Sequence, residues 1–336
     1  MEMRRFGNTG IKVSAWSLGT MTFGGNGGIW DHIGGMDEGE ASAVLSLALD
    51  SGINLIDTAD FYGDGRSEEL LGKLLQGARH KVILVSKAGF PSGAGANDRG
   101  LSRRHLASAV DASLSRLKTD HLDVFFLHLK DCSVPLEESL LAADLLVRSG
   151  KIRYYGLSNF PAWEVMRALL ICKEQGFVRP SCIQVYYNLL ARDIEREILP
   201  AAVAQGLGVM AWSPLAGGLL TGKYGDGEVL PAGSRRAGFD PAPFDQSRLA
   251  AVNPLLKELA RQHGVEPLHI GLAWLRQREG LSTTILGVKT ASQLQQALAG
   301  AELALSKEEM ARLDAASELP TEYPAWYIKD FSLNLT

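Results

Sequence analysis

Residues 106–128 read LASAVDASLSRLKTDHLDVFFLH and contain the repeating unit from which the fold can be inferred. The first half has apolar residues at helical spacing, typical of a helix with one packed face: Leu106, Val110, Leu114 and Leu117. The second half is an apolar run of strand length, Leu122–Leu127, followed by His128. A helix followed by a buried strand is typical of a parallel α/β fold.

Short apolar runs of this kind recur along the chain, separated by longer amphipathic stretches. The predicted strands are Val13–Leu18, Ile53–Ile56, Val82–Ser86, Leu122–Leu127, Tyr154–Leu157, Cys182–Val185, Val209–Ala211 and Thr283–Leu286. Because a (β/α)8 barrel needs eight strands, the count predicts an α/β TIM barrel, formed by residues 1–336 as a single domain.

Additions to a minimal barrel are also predicted. Turn residues Gly7-Asn8-Thr9-Gly10 between Arg4 and Lys12 predict an N-terminal β-hairpin over the bottom of the barrel. A long loop, about Leu219 to Arg248, follows the seventh strand, and a C-terminal extension after about Ser317 is apolar enough to pack on the body. Helix starts are expected at three places: Ser67 with Glu68 and Glu69, and capping boxes in Thr290 with Gln293 and Ser306 with Glu309.

Composition favours small-molecule chemistry. Hydrophobic residues make up 46% of the 336 residues and charged residues 21%, typical of a globular protein with a large core. The net charge of −4 gives no broad basic field, which argues against a nucleic-acid partner and against binding to an anionic membrane. No apolar run approaches the roughly 18 residues of a membrane span. Three cysteines without a CxxC pair fit a reducing cytoplasm: Cys132, Cys172 and Cys182.

Ionisable side chains fall where three neighbouring strands are predicted to end. Asp57 follows strand two, Lys87 strand three and His128 strand four, while Tyr62 lies five residues after Asp57. Three of the four have an ordinary structural explanation: Asp57 could cap a turn, Lys87 could be a solvated lysine and His128 could be a satisfied core histidine. Since catalytic groups of such barrels lie at the carboxyl ends of the strands, the four together predict an active site.

These residues lie in motifs that resemble those of the aldo-keto reductases. Asp57–Gly63 (DTADFYG), Val85–Lys87 (VSK) and Leu127–Asp131 (LHLKD) resemble the Asp, Tyr, Lys and His motifs of that family. Further stretches match in the family's order: Gly19–Gly24, Gly156–Phe160, Gln184–Asn188, Trp212–Leu215 and Gly287–Lys289. The resemblance spans nearly the whole chain. Within the family, the chain resembles bacterial reductases that are related to channel β-subunits. It implies NADPH-dependent reduction of aldehydes and ketones to alcohols.

The chemistry explains why these groups are needed. Carbonyl reduction places a hydride on carbon and a proton on oxygen, and a tyrosine with a pKa near 10 is a poor donor without help. An adjacent lysine ammonium favours the phenolate, and an aspartate keeps that lysine charged. Tyr62 is therefore assigned as the general acid, supported by Lys87 and Asp57. The resemblance implies that His128 polarises the substrate oxygen, although a histidine is also a rival acid.

The cofactor is predicted to be NADPH, with NADH less favoured. No Gly-x-Gly-x-x-Gly follows a strand, so a Rossmann site is excluded. The resemblance implies a dinucleotide extended across the barrel mouth and a set of contacts comprising Gly19, Thr20, Met21, Asp57, Ser158, Asn159, Gln184, Trp212, Ser213, Pro214, Leu215, Gly217, Lys223, Arg235, Gly287, Lys289, Gln293 and Gln296. Trp212 would stack on the nicotinamide where the family more often has tyrosine, and Lys289 stands where a basic residue commonly meets the 2′-phosphate. Gln293 could equally serve as a plain helix cap.

The expected substrate is a small carbonyl compound bound among Tyr62, His128, Phe23, Trp30 and Phe90. A short-chain dehydrogenase is set aside because the chain has no Tyr-x-x-x-Lys. The seven histidines contain no His-x-x-x-His pair, so no metal is predicted. One alternative stays open, a regulatory subunit that binds the cofactor with little turnover.

Overall fold

The structure, a computed structural model, describes residues 1–25, 27–223 and 243–331. The strands are β1 (Met3–Arg5), β2 (Lys12–Ser14), β3 (Trp16–Gly19), β4 (Leu55–Asp57), β5 (Ile83–Ala88), β6 (Leu122–Leu127), β7 (Ile152–Ser158), β8 (Cys182–Tyr186), β9 (Gly208–Trp212) and β10 (Thr283–Gly287). The helices are α1 (Trp30–Ile33), α2 (Glu38–Asp50), α3 (Arg66–Leu74), α4 (Arg103–Leu117), α5 (Leu136–Arg148), α6 (Ala162–Gln175), α7 (Ile198–Ala204), α8 (Gln246–His263), α9 (Pro267–Arg276), α10 (Ala291–Ala299), α11 (Lys307–Ala316) and α12 (Ala325–Phe331).

In this described part of the chain, eight parallel strands close into a barrel in the order β3 to β10, with β10 pairing back onto β3. The predicted (β/α)8 barrel is therefore confirmed. Strand register brings the carboxyl ends together: Gly19 lies opposite both Asp57 and Gly287, and Ser158 lies opposite Gln184. Side chains that follow these positions consequently share one rim.

The first predicted strand, Val13–Leu18, is wrong in its bounds. The chain pairs antiparallel with β1 as far as Ser14 and enters the barrel only at Trp16. Ala15 lies between the two sheets, because its N–H donates to Glu2 while its carbonyl accepts from Thr284 on the barrel side. One continuous apolar run thus serves two sheets.

The predicted hairpin is confirmed, and it closes the amino-terminal end of the barrel. Phe6 has no exposed surface and packs in an inner cluster with Val124 and Met210. The N–H of Asn8 donates to Gly206, just ahead of β9. Gly7 has φ of 56°, and a Cβ there would overlap the backbone nitrogen of Gly208. Glycine is therefore required for the hairpin to approach the barrel so closely.

The helices pack on the barrel as their periodicity predicts. Along α4 the apolar positions Leu106, Val110, Leu114 and Leu117 are all buried. Ser306 and Glu309 form the predicted capping box of α11. Thr290 caps α10 through the N–H of Gln293, but the Gln293 side chain accepts from Lys289, so that box is not reciprocal.

The C-terminal extension does not pack as predicted. Its aromatic residues stay on the surface, with Tyr323 75% and Tyr327 51% exposed. Contacts of Trp326 with both tyrosines form a small exposed cluster instead. Most of the predicted long loop, residues 224–242, lies outside the described residues. Among the helices that the structure does describe, none has the length and apolar character to cross a membrane.

Candidate active site

Three barrel strands and one turn position the predicted catalytic residues. Asp57 is the last residue of β4, Lys87 lies near the end of β5, and His128 directly follows β6. Tyr62 opens a 3-10 turn in which Gly63 and Asp64 take positive φ, folding the chain back beside β5. The loop is held there because the N–H groups of Thr58 and Asp60 donate to carbonyls of β5.

Lys87 is the centre of this group. Its side chain is fully buried, and its ammonium donates to Asp57 Oδ2 at 2.7 Å, to the carbonyl of Thr58 at 2.7 Å and to the Tyr62 hydroxyl at 3.2 Å. A lysine ammonium has three N–H donors, and here each one has an acceptor. Lys87 therefore makes its full set of contacts only in the charged form.

The charges around Lys87 keep it protonated. Burial by itself would lower its pKa, but the Asp57 carboxylate and the Tyr62 oxygen outweigh that effect, so the pKa of Lys87 lies above its usual range. Asp57 is positioned from its other side by Gln184, whose amide donates to Asp57 Oδ1 at 2.8 Å. The carboxylate is thus shared between Lys87, a predicted catalytic residue, and Gln184, a predicted cofactor residue.

The imidazole of His128 lies beside the ring of Tyr62. The two rings meet edge to face with centroids 6.1 Å apart, and His128 is 7% exposed. Burial, together with the charge of Lys87, holds the pKa of His128 well below its usual range. Within the described residues its Nδ1 atom is buried without a hydrogen-bond partner. A neutral histidine can donate one hydrogen bond but is a poor proton source.

The predicted nicotinamide contacts gather on the same rim. Asn159 adopts φ of 58°, and its amide donates to the His128 carbonyl at 3.0 Å and to Ser158 Oγ at 3.1 Å. Trp212 donates from its indole nitrogen to Asn159 Oδ1 at 3.3 Å and contacts Tyr186 in a tilted arrangement, with ring centroids 4.5 Å apart. A hydroxyl, two amides and a partly exposed ring therefore stand at adjacent strand ends, a donor set that suits a planar carboxamide.

The segment after β9 is rich in left-handed backbone. Ser213, Ala216, Gly217 and Gly218 all have positive φ. The Gly217 N–H donates to Ser213 Oγ at 3.3 Å, and Asn188 donates to the Ser213 carbonyl at 3.0 Å. Such turns often form concavities for phosphate groups. Pro214 and Leu215 belong to the same segment, Lys223 is exposed at its described end, and Arg235 lies outside the described residues.

The remaining predicted cofactor residues divide between the strand ends and α10. Gly19 and Thr20 end the first barrel strand, and the Thr20 hydroxyl contacts the Asp57 carbonyl and Ser67; Met21 is partly exposed next to them. Gly287 ends β10 and is exposed. Lys289 donates from Nζ to the carbonyl of His32 at 3.1 Å. Gln296 donates to Glu266 at 2.6 Å. Gln293 accepts a hydrogen bond from the Lys289 N–H, so both predicted glutamines have intramolecular partners in this conformation.

A chain of aromatic ring contacts reaches the predicted catalytic residue His128. Ring centroids are 4.9 Å apart for Trp30 and Phe61, 5.0 Å for Phe61 and Phe90, and 4.8 Å for Phe90 and His128. Phe61 was missed in the sequence, although an apolar residue directly before the predicted catalytic residue Tyr62 is a usable signal. Phe23, predicted to contact substrate, is instead 0% exposed and packs in the core.

Glu68 lies in the first turn of α3, as the sequence predicts, and it makes further contacts there. Its side chain is fully buried, pairs with Arg116 at 2.7 Å and accepts a hydrogen bond from Ser86. Asp60, two residues before Tyr62, is 2% exposed as well. Sequence spacing alone could not identify these two buried acids, because the arginine that pairs with Glu68 comes from α4. Among the described residues no cluster of His, Cys, Asp and Glu could hold a metal.

Comparisons with known proteins agree with this geometry. Residues 16–318 match the model of the Aldo/keto reductase family. The Bacillus subtilis protein named "Uncharacterized oxidoreductase YrpG" is 36% identical, over 97% of this chain and 100% of its own length. A Schizosaccharomyces pombe "Putative voltage-gated potassium channel subunit beta" is 36% identical over 88% of this chain and 86% of its own. An Arabidopsis thaliana "Probable voltage-gated potassium channel subunit beta" is 34% identical, covering 88% of this chain and 90% of its own. With a closed eight-stranded barrel and these matches, the chain belongs to the aldo/keto reductase family of oxidoreductases, whose members generally bind nicotinamide cofactors.

Proposed function

We propose that this chain is a cytoplasmic, NADPH-dependent reductase that converts aldehydes or ketones to alcohols, with Tyr62 as the general acid. The observation that carries the proposal is the buried sequence of contacts from Tyr62 to Lys87 at 3.2 Å and from Lys87 to Asp57 at 2.7 Å. The nicotinamide would supply a hydride to the carbonyl carbon. The residues of this chain then have to orient the substrate and deliver one proton to its oxygen.

Tyr62 is suited to that proton transfer. Its oxygen accepts a hydrogen bond from Lys87, so the phenol can donate its own proton in another direction. As the O–H bond of Tyr62 breaks, the negative charge left on its oxygen lies against the Lys87 ammonium. A fixed positive charge at that point stabilises the developing phenolate, and Asp57 holds it in place.

His128 is assigned to substrate orientation. The lowered pKa of the buried imidazole leaves it uncharged at neutral pH, which argues against it as the proton source. A neutral imidazole can still donate one hydrogen bond to a substrate oxygen placed beside Tyr62. This division of roles supports the phenol of Tyr62, rather than the imidazole of His128, as the proposed acid.

The residues around Trp212 are the proposed nicotinamide site, with Ser158, Asn159 and Gln184 as partners of the carboxamide. Lys289 is the proposed contact of the 2′-phosphate. Its ammonium would exchange the neutral carbonyl of His32 for a charged phosphate, which makes the stronger hydrogen bond. This is the physical basis for the preference for NADPH over NADH.

Tyr62→Phe tests the general acid. The phenylalanine ring keeps the shape of the site but has no proton, so we expect aldehyde reduction to fall by at least about a hundredfold. Fluorescence titration should give an NADPH affinity close to that of the wild type. Tyr154→Phe makes the same change near the amino-terminal end of β7 and should leave turnover unaltered. Near-normal reduction by Tyr62→Phe would refute the assignment.

Lys289→Ala tests the cofactor preference. We expect the Kd for NADPH to rise by roughly tenfold or more, while the Kd for NADH changes little, because only NADPH carries the phosphate. Lys307→Ala removes an equal charge from the exposed first turn of α11 and is the matched control. Equal losses for both nucleotides would contradict the role of Lys289.

A second candidate is a regulatory subunit that binds the cofactor with little turnover. The names of the fission yeast and Arabidopsis relatives favour it. Ordinary steady-state reduction of an aromatic aldehyde would exclude this alternative. Tight NADPH binding without reduction of any carbonyl in a broad panel would establish it and reject the reductase.

A further inference from the structure

Asp60 is a buried acid inside the catalytic loop that the mechanism above does not use. It lies between Asp57 and Tyr62, and its side chain is 2% exposed. Within the part of the chain that the structure describes, neither carboxyl oxygen has a hydrogen-bond partner. An ionised carboxylate in such a place would lose its hydration without compensation. The surroundings therefore favour the neutral acid.

The positive charge of Arg116 does not change this balance. Arg116 of α4 is already paired with Glu68 of α3 at 2.7 Å, and Glu68 has no exposed surface. Burial has the largest effect on Asp60, the negative charge of Glu68 adds to it, and both outweigh the opposing effects of Arg116, the adjacent Phe61 N–H and Lys87. Together they raise the pKa of Asp60 to about 8.

Asp60 is coupled to the catalytic lysine by position and by charge. Its backbone N–H donates to the Lys87 carbonyl at 3.1 Å. Ser86, the neighbour of Lys87, donates to Glu68 at 2.5 Å. Asp60 and Glu68 are therefore both hydrogen-bonded to β5, the strand that carries Lys87. Lys87 acts electrostatically on Asp60, and the interaction is mutual.

We propose that Asp60 is a positioning residue of the reaction, kept uncharged by burial beside the Glu68–Arg116 pair, and that its ionisation in alkaline solution weakens proton donation by Tyr62 through Lys87. With Asp60 neutral, Asp57 is the carboxylate that balances the Lys87 ammonium. A second carboxylate would reduce the positive potential at the Tyr62 oxygen. The phenolate would then be less stable and the phenol a weaker acid.

This inference rests on the proposed reductase activity, and Asp60→Asn tests it. Asparagine has nearly the same shape but cannot ionise. The ratio of kcat for Asp60→Asn to that of the wild type should be flat in acid and rise about threefold to tenfold with a midpoint near pH 8. The Kd for NADPH should stay the same. A ratio that is flat from about pH 6 to about pH 10 would overturn the proposal.

Asp64→Asn is the matched control. Asp64 is exposed in the same loop, two residues after Tyr62, and its positive φ suits asparagine. The ratio of kcat for Asp64→Asn to that of the wild type should stay flat across the same pH range. An equal rise in this variant would attribute the effect to general surface charge and overturn the role of Asp60.

Two further measurements keep the test decisive. If Asp60→Asn fails to fold, Glu68→Gln replaces it in the test. The alkaline decrease in kcat should have its midpoint at a lower pH in Glu68→Gln than in the wild type, because this substitution removes a charge that opposes Asp60 ionisation. An unchanged or higher midpoint would count against the proposal. An infrared difference spectrum should contain a protonated-carboxyl band that disappears near pH 8 in the wild type but not in Asp60→Asn. Because this band requires no turnover, its absence refutes the state of Asp60 separately from any failure of the reductase function.

Discussion

The buried pair of Lys87 and Asp57 should dominate the stability of the active-site end of the barrel. In Asp57→Asn the new side chain has one oxygen and one NH2 group for two neighbours that are both donors, Lys87 at 2.7 Å and Gln184 at 2.8 Å. Either orientation places a donor against a donor, and the fully buried Lys87 ammonium loses its counter-ion. Breaking a buried pair on one side costs about 3–5 kcal/mol. We expect the free energy of unfolding to fall by that amount.

The assay is urea unfolding followed by circular dichroism, for a double-mutant cycle of Asp57→Asn and Lys87→Met. The second single variant should lose a similar amount, because it leaves the carboxylate uncompensated. The double variant removes both charges, so its loss should be smaller than the sum by at least about 2 kcal/mol. Lys73→Met, which removes the exposed partner of Glu38, should change stability little. Near-wild-type stability of both single variants, or a strictly additive double variant, would refute the reasoning.

Three other predictions concern the substrate pocket, the buried acid and the barrel floor. Phe90→Ala removes the ring between Phe61 and His128, so KM for an aromatic aldehyde should rise roughly fivefold while that for a short aliphatic aldehyde changes less. Because Asp60 binds its proton up to about pH 8 when folded, against a reference pKa of 3.8, stability should fall as pH rises between these values. Asp60→Asn should therefore gain a few kcal/mol near pH 8 and little near pH 4 in calorimetry; equal gains at both would contradict this. Gly7→Ala should lose at least about 2 kcal/mol in urea unfolding, whereas Gly10→Ala, whose Cβ meets open space, should be near neutral.

Local signals were sufficient for much of the fold. Apolar runs of strand length alternating with helical periodicity predicted the eight barrel strands, and turn residues predicted the hairpin. Both predictions depend only on residues close in sequence, so they do not require knowledge of the tertiary structure. The boundary at Ala15 was missed because one apolar run passes from the hairpin sheet into the barrel, and hydrophobicity does not distinguish the two.

The sequence by itself also determined which residue types end each strand, so Asp57, Lys87 and His128 could be placed on one rim before any coordinates. Only the tertiary structure decided how they meet, with three acceptors around the Lys87 ammonium. It also decided that Phe23 is in the core while Phe61 lies near the site. Finally, it decided that Asp60 is buried and that Glu68, which acts on it, is already paired with Arg116. Strand ends follow from local periodicity, whereas burial and charge pairing depend on neighbours that other strands and helices bring in after the barrel closes.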